Sequence, residues 1–163
     1  MPDLSGHCSC GAVKYRLSSP PMFVHCCHCL DCQRQTGSAF VLNALIEADR
    51  VEVLEGATRG FPQPTDSGRP HVIQRCADCG TALWSNYGGR EEIRFLRVGT
   101  LEEPSMLAPD VHIYTRSKQP WVKLPGDGVG ATTGKPAEVS EAYYDSSKLW
   151  PAESLARRKA IFG

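Results

Sequence analysis

Eight cysteines, at positions 8, 10, 26, 27, 29, 32, 76 and 79, fall in three clusters and nowhere else. Cysteines this close in sequence are poorly spaced to bridge one another, because a disulfide needs a defined Cα separation and side-chain direction. Closely spaced thiolates instead suit a zinc-class ion. In Cys76-Ala77-Asp78-Cys79-Gly80, Gly80 permits the positive φ of a tight knuckle, and backbone N–H groups there can point at the sulfurs. The same word could be a redox pair, but a redox pair expects a strand running into a helix, and Thr81-Ala82-Leu83-Trp84 reads as a strand. A knuckle supplies two ligands and a closed zinc site wants four. The natural second half is Cys8-Ser9-Cys10-Gly11, where residues i and i+2 of an extended segment share a face. Cys8, Cys10, Cys76 and Cys79 therefore form the expected closed site, with metal binding coupled to folding.

The remaining cluster is His25-Cys26-Cys27-His28-Cys29-Leu30-Asp31-Cys32. Cys27, Cys29 and Cys32 are three sulfurs able to converge. Three protein ligands with one open position distinguish reactive zinc sites from structural ones. Cys26 should point the other way, sharing a face with Met22 and Val24, and reads as a small buried hydrophobe. Ligation by His25 or His28 would close the site and remove the vacancy. Three thiolates on a divalent ion leave a negative centre, poorly suited to activating water and better suited to taking a fourth sulfur, whose proton is then lost.

The chain of 163 residues is expected to hold one domain with at most a small appendage. Eighteen basic residues balance eighteen acidic ones, so nothing suggests a phosphate-binding surface, and nucleic acid is not the expected partner. No stretch reaches the roughly 18 apolar residues of a membrane span, so no membrane partner is expected. The first residues show no charged start followed by an apolar core, and the expected location is the cytoplasm, where thiols stay reduced. Assembly into a homo-oligomer is left open.

The elements positioning these residues read as short strands. Residues 13–17, 40–46, 51–54, 71–74, 81–84, 93–98 and 111–114 carry the alternation of a mostly β domain. Asp31 to Gln35 hints at a helical turn. Residues 125–136 are Gly-rich, but Val129 and Pro136 stand where a phosphate loop needs Gly and Ser or Thr, so a linker is expected. Pro151, Glu153 and the basic run Arg157-Arg158-Lys159 predict a helix over about 151–161, packed through Leu155 and Phe162. Trp121 is expected in the core.

Several words in order resemble the glutathione-dependent formaldehyde-activating enzyme family, also called centromere-protein-V-like, of Mss4-like fold. They are Gly6-His7-Cys8-Ser9-Cys10-Gly11-Ala12-Val13, the run from Cys27 to Phe40, Arg75-Cys76-Ala77-Asp78-Cys79-Gly80-Thr81-Ala82-Leu83, Gly99-Thr100-Leu101-Glu102-Glu103-Pro104, and His112 with Ser117, Lys118, Pro120 and Trp121. Cys26 departs from the pattern as an extra thiol.

The resemblance implies zinc-stabilised antiparallel β-sheets with a short C-terminal helix. It implies a zinc-binding domain over residues 1–126, followed by a linker and helical tail over 127–163. It further implies one structural zinc on Cys8, Cys10, Cys76 and Cys79, and a second, labile zinc on Cys27, Cys29 and Cys32, which then serve as the catalytic residues. The implied activity is carbon–sulfur lyase chemistry, forming or cleaving an adduct of a small thiol, glutathione, with an aldehyde such as formaldehyde. Arg34, able to pair with a carboxylate, and Thr36, Gly37 and His112 are the residues expected to meet the substrate, and backbone N–H groups from Gln33 to Gly37 are expected to face thiolates or that carboxylate. A zinc-stabilised scaffold for protein or nucleic acid, or a thiol redox sensor, are the alternative functions.

Overall fold

The structure is a computed structural model that describes residues 4–124 and 128–163. The expected boundary at residues 126 and 127 lies outside the described residues. Among the described residues eleven strands form two sheets, with few helices, so the protein is mostly β as expected. The chain divides into two compact units, Met1–Pro21 with Leu45–Pro104, and Met22–Ala44 with Ser105–Gly163.

The first unit holds the antiparallel strands β1 (Ser5–His7), β2 (Lys14–Leu17) and β5 (Val51–Glu55), in the order β1-β2-β5. It also holds β6 (Thr58–Pro62), β7 (His71–Cys76), β8 (Ala82–Tyr87) and β9 (Ile93–Arg97), each antiparallel to the next. The alternation in Lys14-Tyr15-Arg16-Leu17 appears as exposed and buried positions in turn. Tyr15, Ile73, Leu83 and Leu96 are fully buried, and Tyr15 meets Trp84 edge-on at 6.4 Å. The Tyr15 hydroxyl donates to Thr100 Oγ1 at 2.7 Å, and Thr100 in turn donates to the Arg97 carbonyl.

The second unit holds β3 (Phe23–Cys27), α1 (Leu30–Thr36), the first part of β4 (Val41–Glu47), β10 (Val111–Ile113) and β11 (Glu138–Val139). Two short helices, α2 (Ser146–Leu149) and α3 (Ala152–Phe162), follow. Not every pair is antiparallel: β10 runs parallel to both β3 and β11, with His112 opposite Cys26. A parallel partner needs a long return connection, and β10 follows β3 only after about half of the chain has intervened. Every residue of β3 is buried, so the predicted division of its residues into a core face and an outer face is absent.

The tail is tied down by specific contacts. Trp150 is buried and stacks on Phe23 at 5.4 Å. Asp110, 1% exposed, accepts backbone N–H groups from Val24, Thr132 and Thr133 at 2.9 Å each, and both threonine hydroxyls as well. The C-terminal helix lies where predicted, but its buried residue is Ser154, and Phe162 is exposed. Trp121 is also exposed, at 72%, contrary to its expected place in the core. It lies inside a short turn over residues 119–122, closed by Val122 N–H on the Gln119 carbonyl at 3.1 Å and braced by Lys118 Nζ donating to the carbonyls of Gln119 and Val122, and no strand carries it inward.

Candidate metal centres

Cys8 and Cys10 follow the end of β1, and Cys76 ends β7. The segment from Cys8 to Gly11 is a turn, not the extended run expected, closed by Gly11 N–H donating to the Cys8 carbonyl at 3.0 Å. The second knuckle repeats this, with Gly80 N–H on the Cys76 carbonyl at 3.0 Å. Gly11 and Gly80 both sit at positive φ, 77° and 76°, which a side chain would disfavour. The four sulfurs lie within 4.8 Å of one another. Cys8 and Cys10 sulfurs are 3.5 Å apart, and Cys10 and Cys76 sulfurs 3.9 Å. Tetrahedral bonds of about 2.3 Å put sulfurs about 3.8 Å apart, so the spacing fits a zinc-class ion.

Val13 N–H donates to Cys8 Sγ at 3.2 Å. The Thr81 hydroxyl links the knuckles, 3.1 Å from Cys79 Sγ, 2.9 Å from Ser9 Oγ, and accepting Ser9 N–H at 3.1 Å. Hydrogen bonding from the Thr81 hydroxyl, then from the backbone N–H groups of Thr81 and Cys10, pulls the Cys79 thiol down to about 5, toward the thiolate a metal requires.

The second cluster is built where β3 gives way to α1. Cys29 is the N-cap of α1, extended at φ −67° and ψ 155°, and its sulfur accepts Cys32 N–H at 3.3 Å. The first helical turn brings Cys32 back beside Cys29, while Cys27 ends the strand. The three sulfurs lie within 4.8 Å of one another, and among the described residues no fourth Cys, His, Asp or Glu joins them. Hydrogen bonds from the Cys27 and then the Cys32 thiols hold the Cys29 thiol down to about 2. The same contacts work in reverse on the partners: Cys27 is pushed up to about 12, first by its bond to Cys29, and Cys32 is raised, first by its bond to Cys27. Sulfurs this close compete for their protons, and a cation held among them would take the protons' place.

Gln33 braces this corner by donating to the carbonyls of His28 and Ser117 at 2.8 and 2.9 Å, and by accepting Gln119 Nε2 at 2.7 Å. The N–H groups of Gln33 and Gly37 are used inside the helix, and the N–H groups that face sulfurs are those of Cys29, Asp31 and Cys32, just before the stretch predicted for them. Arg34 is 80% exposed and 3.9 Å from Asp31, and Thr36 and Gly37 are exposed at the end of α1. Thr36 donates to the Cys32 carbonyl at 2.8 Å, and Gly37 caps the helix at φ 64°.

Neither neighbouring histidine enters the sulfur trio. His25 is bonded through Nε2 to the Tyr144 hydroxyl, which also accepts Trp150 Nε1 at 2.7 Å. Burial lowers His25 to about 3, keeping it neutral. His28 lies with Cys26 and His112 in a third, fully buried group, whose donor atoms are again within 4.8 Å of one another. Burial lowers His28, with the Lys118 charge adding to it, and lowers His112 to about 4, with His28 adding to it. Burial also pushes the Cys26 thiol up to about 12. Cys26 is buried as predicted, but among imidazoles. The signal for this group was half visible in the Cys26 to His28 spacing. His112 comes from β10 by parallel register, which no local pattern announces.

The family model described as glutathione-dependent formaldehyde-activating enzyme matches residues 3–117, which covers both cysteine clusters and His112. The chain belongs to the glutathione-dependent formaldehyde-activating enzyme family. It is 27% identical over 126 residues to a Halomonas elongata protein named as a candidate enzyme of that kind, covering 74% of this chain and 80% of that one. It is also similar to a Rhodobacter sphaeroides protein of solved structure, at 22% identity and TM-score 0.47, over 61% of this chain and 88% of that one. No helix among the described residues is long and apolar enough to cross a membrane.

Proposed function

We propose that this chain is a carbon–sulfur lyase-type enzyme that forms or cleaves the adduct of a small thiol, glutathione by family, with an aldehyde such as formaldehyde. The observation that supports it best is the sulfur trio of Cys27, Cys29 and Cys32, to which no fourth protein donor is added among the described residues. A zinc-class ion held there would acidify an incoming fourth sulfur. In the forming direction a sulfur–carbon bond is made, the carbonyl π bond breaks, and the thiol proton ends on the new hydroxyl oxygen. Reversal releases both substrates.

The chain's own groups have separate tasks. Cys27, Cys29 and Cys32 hold the ion, and the Cys32 N–H stabilises charge on the Cys29 sulfur. Arg34, exposed on the same helix, offers a guanidinium to a carboxylate of the thiol. Thr36 and Gly37 shape the helix end beside it, and His112 backs the segment from behind the trio. Cys8, Cys10, Cys76 and Cys79 would hold the structural ion of the first unit.

The test is catalysed exchange. Adduct formation between glutathione and formaldehyde is followed by NMR exchange spectroscopy with and without protein. The zinc-loaded wild type is expected to speed interconversion above the spontaneous rate, and Cys29→Ser to return it to that rate. No acceleration by the wild type, or equal acceleration by Cys29→Ser, would overturn the reading.

A further inference from the structure

The group formed by Cys26, His28 and His112 is used neither by the sulfur trio nor by the four-cysteine cluster. All three residues are buried, at 2%, 0% and 7% exposure. Their convergence follows from topology. Cys26 and His28 are two apart at the end of β3 and share a face. His112 is the register partner of Cys26 across the parallel pair with β10. Cys27 and Cys29 alternate onto the opposite side, so the two three-donor groups diverge from one short stretch of chain.

The two contacts of the His28 ring within the group cannot both be hydrogen bonds. His28 Nε2 is 3.5 Å from Cys26 Sγ and 3.1 Å from His112 Nδ1. One ring nitrogen either donates a single proton or accepts along a single in-plane lone pair. His28 Nε2 therefore satisfies one of these neighbours and leaves the other facing it unpaired. On the far side of the ring, His28 Nδ1 is buried with no hydrogen-bond partner, so no acceptor or donor fixes the tautomer. A single cation accepting lone pairs from all three atoms removes the conflict. Tetrahedral bonds of about 2.05 Å to nitrogen and 2.3 Å to sulfur give N···N near 3.3 Å and N···S near 3.6 Å. The separations in the structure match both.

We propose that Cys26, His28 and His112 form a third metal site, separate from both cysteine clusters, for a borderline divalent ion of the zinc class. One thiolate with two imidazoles is a donor set for zinc, cobalt or copper, and unsuited to magnesium or calcium. Among the described residues no fourth Cys, His, Asp or Glu joins the group. Binding releases the Cys26 thiol proton to solvent, and both imidazoles enter neutral. Depth of burial makes loading slow.

Cobalt(II) distinguishes the sites by spectrum. In a Cys29→Ser/Cys32→Ser background the trio is disabled, so the outcome does not depend on the thiol–aldehyde reading. Under anaerobic conditions, with a non-thiol reductant, two equivalents of cobalt are expected to bind after prolonged incubation. One shows the bands of a four-sulfur site, and the other the weaker charge transfer of a single thiolate. Adding Cys26→Ala, or His112→Gln, is expected to remove only the second. A single equivalent, or a second that survives Cys26→Ala, overturns the proposal. Should the background variant fail to fold, Cys26→Ala in the otherwise intact chain gives the same decision: bound cobalt falls from three equivalents to two, and two in both proteins overturns it.

Discussion

Serine substitutions at Cys76 and Cys29 are chemically identical, yet the structure assigns them opposite consequences. Cys76 is 2% exposed, ends β7 and sits in a knuckle whose backbone bonds lead to Thr81 and Gly80. Its sulfur is 3.9 Å from Cys10 Sγ, across a long separation in sequence. A structural zinc contributes about 10–16 kcal/mol to the folding of small metal domains. A domain's net stability is only about 5–15 kcal/mol. A serine hydroxyl stays protonated and is a poor zinc ligand, so Cys76→Ser is expected to forfeit most of the metal's contribution and leave the first unit unfolded. Cys29 differs because its local task is to cap α1 by accepting Cys32 N–H, and serine is among the best N-caps. The helix it starts has no buried residue. Cys29→Ser should change stability by no more than about 1 kcal/mol, a shift of only a few degrees. Circular dichroism melts of proteins loaded with one zinc per chain, with metal content measured on the same samples, decide the matter. The reasoning is refuted if Cys29→Ser melts as poorly as Cys76→Ser, or if Cys76→Ser keeps the wild-type midpoint.

Two further outcomes test the scaffold. Asp110→Asn places an amide where three N–H groups and two hydroxyls all donate, so at least one donor meets another; a loss of about 3 kcal/mol is expected in urea unfolding, and an unchanged midpoint would refute the carboxylate's role. Burial raises the Tyr15 hydroxyl from its ordinary 10 to about 12. A group raised on folding contributes stability that is whole below pH 10 and lost as pH rises toward 12. Two pH units correspond to about 2–3 kcal/mol, and Tyr15→Phe should flatten that part of the alkaline stability profile; equal slopes for both proteins would refute it.

What the sequence revealed depended on how local the determining contacts are. The knuckle at Cys76 to Gly80 and the helical turn after Cys29 are set by residues a few positions apart, so spacing alone located them. The partnership of Cys8 and Cys10 with that knuckle was legible from the count of ligands a closed site needs, although a turn delivers the pair. Burial on the two faces of β3 was not legible, because an apolar run with His25 in its middle looks half polar until Tyr144 is seen against the ring. Tyr144, Trp150 and His112 reach β3 from far along the chain, the first two by ring contacts and His112 through a parallel pairing that leaves no mark in local alternation. Trp121 misled for a related reason: residue type suggested the core, whereas the ring stands on a turn over residues 119–122, braced by Lys118 on backbone carbonyls, and is exposed.

The order Cys26-Cys27-His28-Cys29 carries more than its composition. A strand has a side-chain period of two, so the four donors separate as 26 with 28 and 27 with 29, and a shift of one position would exchange the sets. The strand must then stop at once. If it continued, Cys32 would fall on the face of Cys26 and His28; because α1 begins at Leu30, the three-residue step of the first turn returns Cys32 to the Cys29 sulfur instead. On the opposite side, β10 supplies a nitrogen where α1 supplies a sulfur. The change from strand to helix thus gives one side of the segment three soft sulfurs and the other a sulfur with two imidazoles, and the softer set lies on half-buried Cys29 and Cys32, where a thiol from solution can arrive. That difference in access, added to the three-donor count on which the proposed function rests, favours the trio over the buried set as the group a thiol from solution would reach.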